Sequence, residues 1–217
     1  KLIQQVPKAI ARSAVFTKEQ LTWNILNLGF TAAVTTTDGV SLFNVAHPLL
    51  GGSAATNIGP GVTPYISAPG TFPNRPLVDV DLSFTAIQNA INQFERLIDS
   101  QGLPITLKPR HLIIPPEIKW IAREILGSPN KPYTANNEIN ALIKEDLDFF
   151  VGHYLTSRSA WFLLCDKDAH TMKHITRRAL DEDYADDFDT RSIKQIAFMR
   201  FSVGVTSWMG TWGSNGP

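Results

Sequence analysis

The sequence is short of cysteine, of long apolar runs and of unbalanced charge. Cys165 is the single cysteine among 217 residues, so no disulfide can form within the chain. No run of about 18 apolar residues and no signal-peptide pattern is present, so we expect neither a transmembrane helix nor a secretion signal. The 20 basic and 20 acidic residues give zero formal net charge, which argues against binding nucleic acid through a strong overall basic field.

Catalytic and nucleotide-binding motifs are also missing. There is no HExxH or GxSxG motif, and the glycines at 51–52 and 59–61 do not lie between a strand and a helix. His170 and His174 are four residues apart but fall in a predicted turn and strand, so we interpret them as surface or core residues. Cys165 ends an apolar stretch and is predicted to be a buried structural thiol. We therefore expect no catalytic, cofactor-binding or metal-binding residues.

The stretch from residue 103 to 126 carries the densest local signals. Leu112-Ile113-Ile114 is a short apolar run rich in β-branched residues, which predicts a buried strand. Pro115-Pro116 ends that strand, and Pro116 suits the first position of a helix, where its missing N–H costs nothing. Apolar residues then recur at helical spacing until Gly127. The pattern indicates a unit built for packing rather than for chemistry.

Other helices are predicted on both sides of this stretch. The first 30 residues contain two helical pieces, because Pro7 interrupts the first and Thr17 starts a second that ends at Gly29. The cleanest helix covers 81–100, with Ser83 as its cap. A short helix is predicted over 138–144.

The predicted strands are concentrated in the second half of the chain. Alternation and β-branched residues predict strands over 147–154, 160–165, 173–178 and 193–205, the last with one buried face. A hairpin is predicted about Asp38-Gly39, a long loop over 51–76, an acidic loop over 179–190, and an edge strand or tail after residue 206. Helices and strands mix without regular βαβ alternation, so the predicted fold class is α+β.

Several of these segments, in this order and spacing, resemble the major capsid proteins of tailed bacteriophages, specifically the Mu-type major head subunit group. No single segment is decisive, and the resemblance runs from residue 17 to residue 217. The segments are NILNLGF at 24–30, DGVSLFNVAHPL at 38–49, QGLPITLKPRHLIIPPEIKWIAREIL at 101–126, NNEINAL at 136–142, AWFLLCD at 160–166 and DFDTRSIKQIAFMRFSVGV at 187–205.

The resemblance implies the Hong Kong 97-type capsid fold. Residues 1–80 would hold the end of the spine helix, strands of the peripheral domain and a long loop. Residues 81–180 would form the axial domain, and residues 181–217 the return strand of the peripheral domain and a C-terminal tail. In that fold an N-terminal arm and an extended loop precede the spine helix, and we expect both to be absent from this sequence.

The resemblance also implies a structural role without enzymatic activity or cofactors. Many copies would form hexamers and pentamers that tile an icosahedral shell around double-stranded DNA, contacted without sequence specificity. Portal, scaffolding and decoration proteins would be further partners, and the protein would reside in the virion after assembly in the cytoplasm of a bacterial host, with no membrane partner. The alternatives are an encapsulin-like compartment, which would contain protein cargo, and, more remotely, a hydrolase.

Contacts between subunits are expected at the acidic segment. We hypothesise that it meets basic residues of a neighbouring copy; the residues concerned are Asp181, Asp183, Asp186, Asp187, Arg177, Arg178 and Arg191. The segment lacks the spacing and central glycine of a calcium-binding loop.

Two short basic groups, Arg177-Arg178 and the pair Lys108 and Arg110, are considered for contact with nucleic acid, although such groups are usual on any protein surface. The 51–76 loop is also expected to contact another subunit.

Overall fold

The computed structural model of the protein describes residues 5–48, 71–98, 104–131 and 138–217. The predicted 51–76 loop therefore lies outside the described residues up to residue 70, together with the glycines at 51–52 and 59–61. Its expected contact with another subunit remains a prediction.

The described elements confirm a mixture of helices and strands. The helices are α1 (Gln5–Asn27), α2 (Phe84–Glu95) and α3 (Lys119–Gly127), with 3-10 turns at Pro116–Ile118 and Ala141–Glu145. The strands are β1 (His47–Pro48), β2 (Thr71–Phe72), β3 (Pro109–Ile114), β4 (Asp148–Val151), β5 (Trp161–Cys165), β6 (Lys173–Asp187), β7 (Ser192–Gly204) and β8 (Thr211–Ser214).

A four-stranded sheet in the order β4-β3-β5-β8 forms the centre of the fold. β3 runs parallel to β4 and antiparallel to β5, which pairs antiparallel with β8. Every residue of β5 is buried. Trp161, Leu163 and Cys165 face a cluster that includes α2 and α3, whereas Phe162 and Leu164 face a second cluster that includes the end of α1. The sheet is therefore covered on both faces, which explains the continuous apolar sequence of β5.

The 103–126 stretch folds largely as predicted from residue 104 onward, where it is described, whereas the helix before it is shorter than predicted and covers Phe84–Glu95 instead of 81–100. Leu112–Ile114 lies in β3, Pro116 opens the 3-10 turn that leads into α3, and the helix ends at Gly127. The Ser83 hydroxyl caps α2 by accepting a hydrogen bond from the Ala86 N–H at 3.2 Å. The apolar faces of α2 and α3 both pack into the first cluster.

The prediction of two N-terminal helical pieces is wrong, because α1 is one continuous helix of 23 residues. Pro7 lies in its first turn, where no N–H partner is lost, so the proline does not break it. Thr17 does not cap a second helix; its hydroxyl donates to the Ser13 carbonyl at 2.9 Å within the helix. Beyond the helix end, a Cβ on Gly29 would lie 2.8 Å from the Phe43 ring, so a side chain there would displace that core residue.

The predicted acidic loop over 179–190 is also wrong over most of its length. β6 extends to Asp187 and pairs with β7 as a long antiparallel ribbon, so only residues 188–191 form the turn. The ladder with β7 supplies the backbone hydrogen bonds, and exposed carboxylates on a solvated ribbon incur no burial penalty. The predicted strand over 193–205 is confirmed as β7, but its inward-facing residues are half-buried rather than buried.

The Trp- and Gly-rich C-terminus was predicted to be an edge strand or a tail, and the structure shows the edge strand β8. Although it is an edge strand, all four of its residues are buried. The Trp212 indole N–H donates to the Gln93 side-chain oxygen at 2.8 Å, which fixes β8 against α2. A Cβ on Gly213 would lie 2.9 Å from the Phe162 ring, so only glycine allows this close approach to β5.

The predicted Asp38-Gly39 hairpin turn is confirmed and is attached to the rest of the fold by a buried polar cluster. His47 is fully buried; its Nδ1 lies 2.6 Å from the Asp38 carboxylate and its Nε2 lies 3.1 Å from the Asn74 side-chain oxygen. Asn74 also donates to the Leu42 carbonyl at 2.7 Å. The His47 ring stacks on Trp208 at 4.5 Å, so the hairpin, β2 and the segment before β8 meet at this ring.

Burial acts on both ionisable groups of this cluster. Burial lowers the pKa of His47, against the opposing effect of the Asp38 carboxylate. Burial alone would raise the pKa of Asp38, but hydrogen bonds from Thr36, His47 and the Val40 N–H outweigh it and hold the pKa below its ordinary value. Both shifts favour the neutral histidine and the ionised aspartate at neutral pH.

Replacing Asn74 with alanine tests how strongly this cluster holds the fold. Asn74→Ala leaves the Leu42 carbonyl and the Asn44 N–H without their side-chain partner, and we expect a loss of about 2–4 kcal/mol in the free energy of unfolding. Urea denaturation monitored by tryptophan fluorescence measures the loss. The exposed Asn89→Ala on α2 is the control, expected to change stability by less than about 0.5 kcal/mol. Equal effects from both substitutions would contradict this role for the cluster.

The lowered pKa of His47 predicts that stability decreases in mild acid. Because the folded pKa lies below 6.5, the unfolded chain binds a proton that the folded chain resists as the pH falls through 6.5. The urea midpoint should therefore fall between about pH 7.5 and about pH 5.5, and it should fall less in His47→Gln. A midpoint that rises in acid would show that the two acceptors flanking the ring favour imidazolium instead.

Candidate intersubunit surface

Helix α1 and the β6–β7 ribbon form a unit that is here called the arm and is distinct from the N-terminal arm named above. The contact between the helix and the ribbon leaves most of the arm only partly buried. α1 contacts both strands of the ribbon. No residue of 8–24 or of 173–204 is buried, in contrast to the fully buried strand β5. A 13-residue strand extends about 40 Å at ~3.3 Å per residue, so the arm is a long structure without a closed core of its own.

One face of the ribbon, its inner face, lies toward α1. The half-buried residues of β7 are the odd-numbered positions 195–203, which alternate with exposed ones. Near the ribbon tip, Ile10 of α1 lines a shallow cavity together with Tyr184 and Gln195, and the next cross-strand pair, Asp183 and Ile196, borders the same cavity. Helix and ribbon therefore share this face, although neither is buried by the contact.

The other face, the outer face, is exposed and yet carries large apolar side chains. Cross-strand partners project from the same face of an antiparallel ribbon. The pairs Asp183 with Ile196 and Asp181 with Phe198 therefore both lie on the outer face. Ile196 is 63% exposed and Phe198 42% exposed, and Ile175 near the base is 64% exposed. A row of apolar side chains left in water along a sheet face is typical of a surface that another chain covers.

Charge is distributed unevenly along the ribbon. Positions 181–194 at the tip hold six carboxylates against two cations, whereas the base holds a group of cations. Some of these charges pair within the subunit: Asp187 with Lys194 and Arg178 with Asp181, both at 2.6 Å. A hydrogen bond from Lys194 lowers the pKa of Asp187. The ribbon is therefore a dipolar surface with a negative tip and a positive base.

The structure places all the predicted contact residues on this one ribbon but not in one group. Asp181, Asp183, Asp187 and Arg178 lie on the outer face, as register and ion pairs require. The others are spread around it: Asp186 is paired with Ile193 on the inner face, Arg177 lies at a register shift in β6, and Arg191 lies in the turn. Their contact with another subunit remains a prediction.

The sequence prediction missed the outer face itself. It treated only the odd-numbered positions of β7 as an apolar face, and that alternation is real. Ile196 and Phe198 lie on the opposite face, where a strand with one buried face should carry polar residues. Residues 196–199 are all apolar, so the sequence places apolar side chains on both faces of the strand there. This pattern could have indicated that both faces become covered.

Arg110, considered above for nucleic-acid contact, lies in β3, outside the arm. Arg110 forms exposed ion pairs with Asp146 at 3.2 Å and Asp166 at 3.7 Å, so two carboxylates accompany its charge. In the described parts of the chain, no group of three or more His, Cys, Asp or Glu side chains could hold a metal ion. No helix among the described residues is long and apolar enough to cross a membrane.

A groove of about 510 Å³ lies between α2 and the segment 73–80. It is lined mostly by apolar and amide side chains, among them Val80, Ala86 and Trp212. Its titratable residue, Arg75, is engaged with Asp79 at 2.6 Å. The groove therefore lacks the converging nucleophile, base and orienting group that define a catalytic site.

Cys165 is buried as predicted, and burial raises the pKa of its thiol to about 12. We expect native Cys165 to react with a thiol reagent at pH ~8 on the order of 100-fold more slowly than an exposed cysteine, because almost no thiolate is present. Absorbance of the released thiol product measures the rate. Lys144→Cys supplies the exposed comparison, and comparable rates at the two positions would contradict the assignment.

Comparison with known proteins gives one clear match. The sequence model of a family described as phage capsid protein matches residues 1–213. No curated protein matches the sequence. Because the matched residues cover nearly the whole sequence, the chain belongs to the phage capsid protein family and is a structural component of the virion.

Proposed function

We propose that this chain is the major head subunit of a tailed phage, of the Mu-type group with the Hong Kong 97-type fold. Copies assemble into hexamers and pentamers that form an icosahedral shell around double-stranded DNA. The observation that carries the proposal, beside the family match over 1–213, is the arm: a helix and ribbon without a buried residue between 8 and 24 or between 173 and 204. Such a unit gains its missing burial when other copies cover it.

The domain division follows the same proposal. Within residues 81–180, α2, α3, β3 and β5 pack together in one core, which suits an axial domain, whereas the start of β6 at 173–180 belongs to the arm. Residues 1–80 and 181–217 supply α1 and β7 to the arm, which suits a spine helix with strands of a peripheral domain. The last strand, β8, returns to the central sheet and ties the two parts together.

Assembly in this proposal is driven by apolar burial and is not opposed by net charge. Exposed apolar residues occur on both layers of the arm, including Phe16 and Leu21 on α1 at 55% and 48% exposure. Each contributes about 25 cal/mol per Å² that a neighbour covers, before the costs of association. Zero formal net charge keeps the repulsion between adjacent copies small.

The proposed partners are further copies of the chain, portal, scaffolding and decoration proteins, and packaged DNA held without sequence specificity. Assembly takes place in the cytoplasm of the bacterial host, and the mature protein resides in the virion. An inner surface that contacts DNA through scattered basic residues needs no base recognition.

Electron microscopy of the purified protein, with light-scattering mass, tests this proposal. We expect closed shells or ring-shaped capsomers, and nuclease-resistant DNA inside shells isolated from infected cells. Phe16→Ser with Leu21→Ser should reduce the assembled fraction at least about tenfold, because two exposed apolar side chains of α1 are lost, whereas Gln20→Ser on the same helix should not.

Two results would contradict the proposal. Shells that contain an enzyme cargo and no DNA would point to an encapsulin-like compartment. A complete gene product that remains monomeric at every concentration and salt condition tried would exclude a shell subunit altogether.

A further inference from the structure

We propose that the outer face of the ribbon binds the same face of a second copy, antiparallel, across a two-fold axis that passes near Phe198. This inference rests on the proposed self-assembly and identifies the partner and orientation at one surface. It is carried by the register of β6 and β7, which fixes the order of charged and apolar side chains along the outer face.

The order of side chains along the outer face is complementary to its own reverse. Position 198 lies midway along β7, between 192 and 204. A level here means one residue of β7 together with its cross-strand partner on β6. A second ribbon rotated by 180° about position 198 has its level 200 opposite level 196 of the first ribbon, and its level 204 opposite level 192. The level of 196 carries Asp183, and the level of 200 carries Arg178. The level of 192 carries Asp187, and the level of 204 carries Lys173. The acidic levels of 196 and 192 thus each meet a basic level of the other copy. Asp181, at the level of 198, lies at the axis, where Arg178 of its own chain pairs with it.

The subunit alone leaves part of this charge uncompensated. Arg178 and Arg200 are direct cross-strand partners, and like charges in that position repel. Asp181 relieves Arg178 through an ion pair, but within the described residues no ion pair involves Arg200 or Asp183. The antiparallel contact supplies Asp183 of one copy to Arg200 of the other, twice per pair of copies.

Apolar side chains occupy the middle of the same face. Phe198 of each copy lies at the axis, flanked by Ile196, and the Arg178 guanidinium lies 5.0 Å from the Phe198 ring centre. A central apolar contact rimmed by charge pairs is the usual anatomy of a specific interface. A parallel arrangement would instead place tip on tip and base on base, with like charges facing each other.

The two-fold geometry has a consequence for the shell. A contact between identical surfaces is satisfied by one partner and cannot extend into a ring. The outer face would therefore link two subunits in pairs, such as subunits of adjacent capsomers, while the closure of hexamers and pentamers uses other surfaces.

Charge reversal at the two unpaired positions tests the contact. Asp183→Arg alone and Arg200→Asp alone each place like charges across the axis, and each should weaken pairing at least about tenfold in sedimentation equilibrium. Mixing the two variants pairs opposite charges at both sites, so a mixed pair should recover affinity. The same recovery is expected when both substitutions are in one chain. Lys144→Asp and Glu145→Arg, exposed charges outside the arm, serve as matched controls, and circular dichroism verifies folding.

Disulfide trapping tests the position of the axis independently of charge. Phe198→Cys should cross-link to itself on oxidation, because only a residue near a two-fold axis approaches its own copy. Ile175→Cys should not link to itself, but should link to Lys194→Cys in a mixture, since levels 202 and 194 face each other. The natural Cys165 is buried and its thiol pKa is raised, so it contributes little background.

The outcomes separate this inference from the proposed function. Shells that form normally from both charge-reversed variants, with no Phe198→Cys cross-link, would overturn the ribbon contact and leave the shell subunit standing. Failure of the unsubstituted complete gene product to assemble would overturn the proposed function. Loss of pairing in both variants without recovery on mixing would overturn the antiparallel orientation.

Discussion

The burial of β5 on both faces is the constraint on which the rest of the structure depends. A strand of five apolar residues cannot leave either face in water, so α2 and α3 must cover one face and the end of α1 with the Asp38 hairpin must cover the other. β8 then closes the edge of the sheet, and its glycine at 213 allows the close approach. The His47 cluster holds the hairpin in that position.

The arm, in contrast to β5, leaves its apolar side chains largely exposed. In our account this difference in burial is the basis of the protein's function. The central sheet completes its core within one chain, so it can fold before assembly. The ribbon and residues 8–24 of α1 bury nothing fully, and their apolar side chains remain available. A subunit with one closed core and one open arm can remain stable alone and still gain free energy when copies meet.

Much of the central fold could be predicted from local sequence, because its signals are local. The Ser83 cap, the Pro115-Pro116 corner and the run at β5 each fix an element within a few residues. Pro7 misled the prediction, since a proline in a first turn and one that breaks a helix look alike in sequence. The acidic part of β6 was missed because its strand conformation comes from pairing with β7, which composition does not reveal. The outer face depends on register, and the two shifts in the β6–β7 register cannot be read from sequence.

The central claim is that the arm is completed by other copies, and hydrogen exchange tests it most directly. Amides of β3 and β5 should be protected in both dispersed and assembled protein, because their core is closed within the chain. Amides of β6 and β7 should exchange much faster than these in the dispersed chain and become protected on assembly. Equal protection of β6 and β7 in both states would contradict the account, since the arm would then be as stable alone as in the shell.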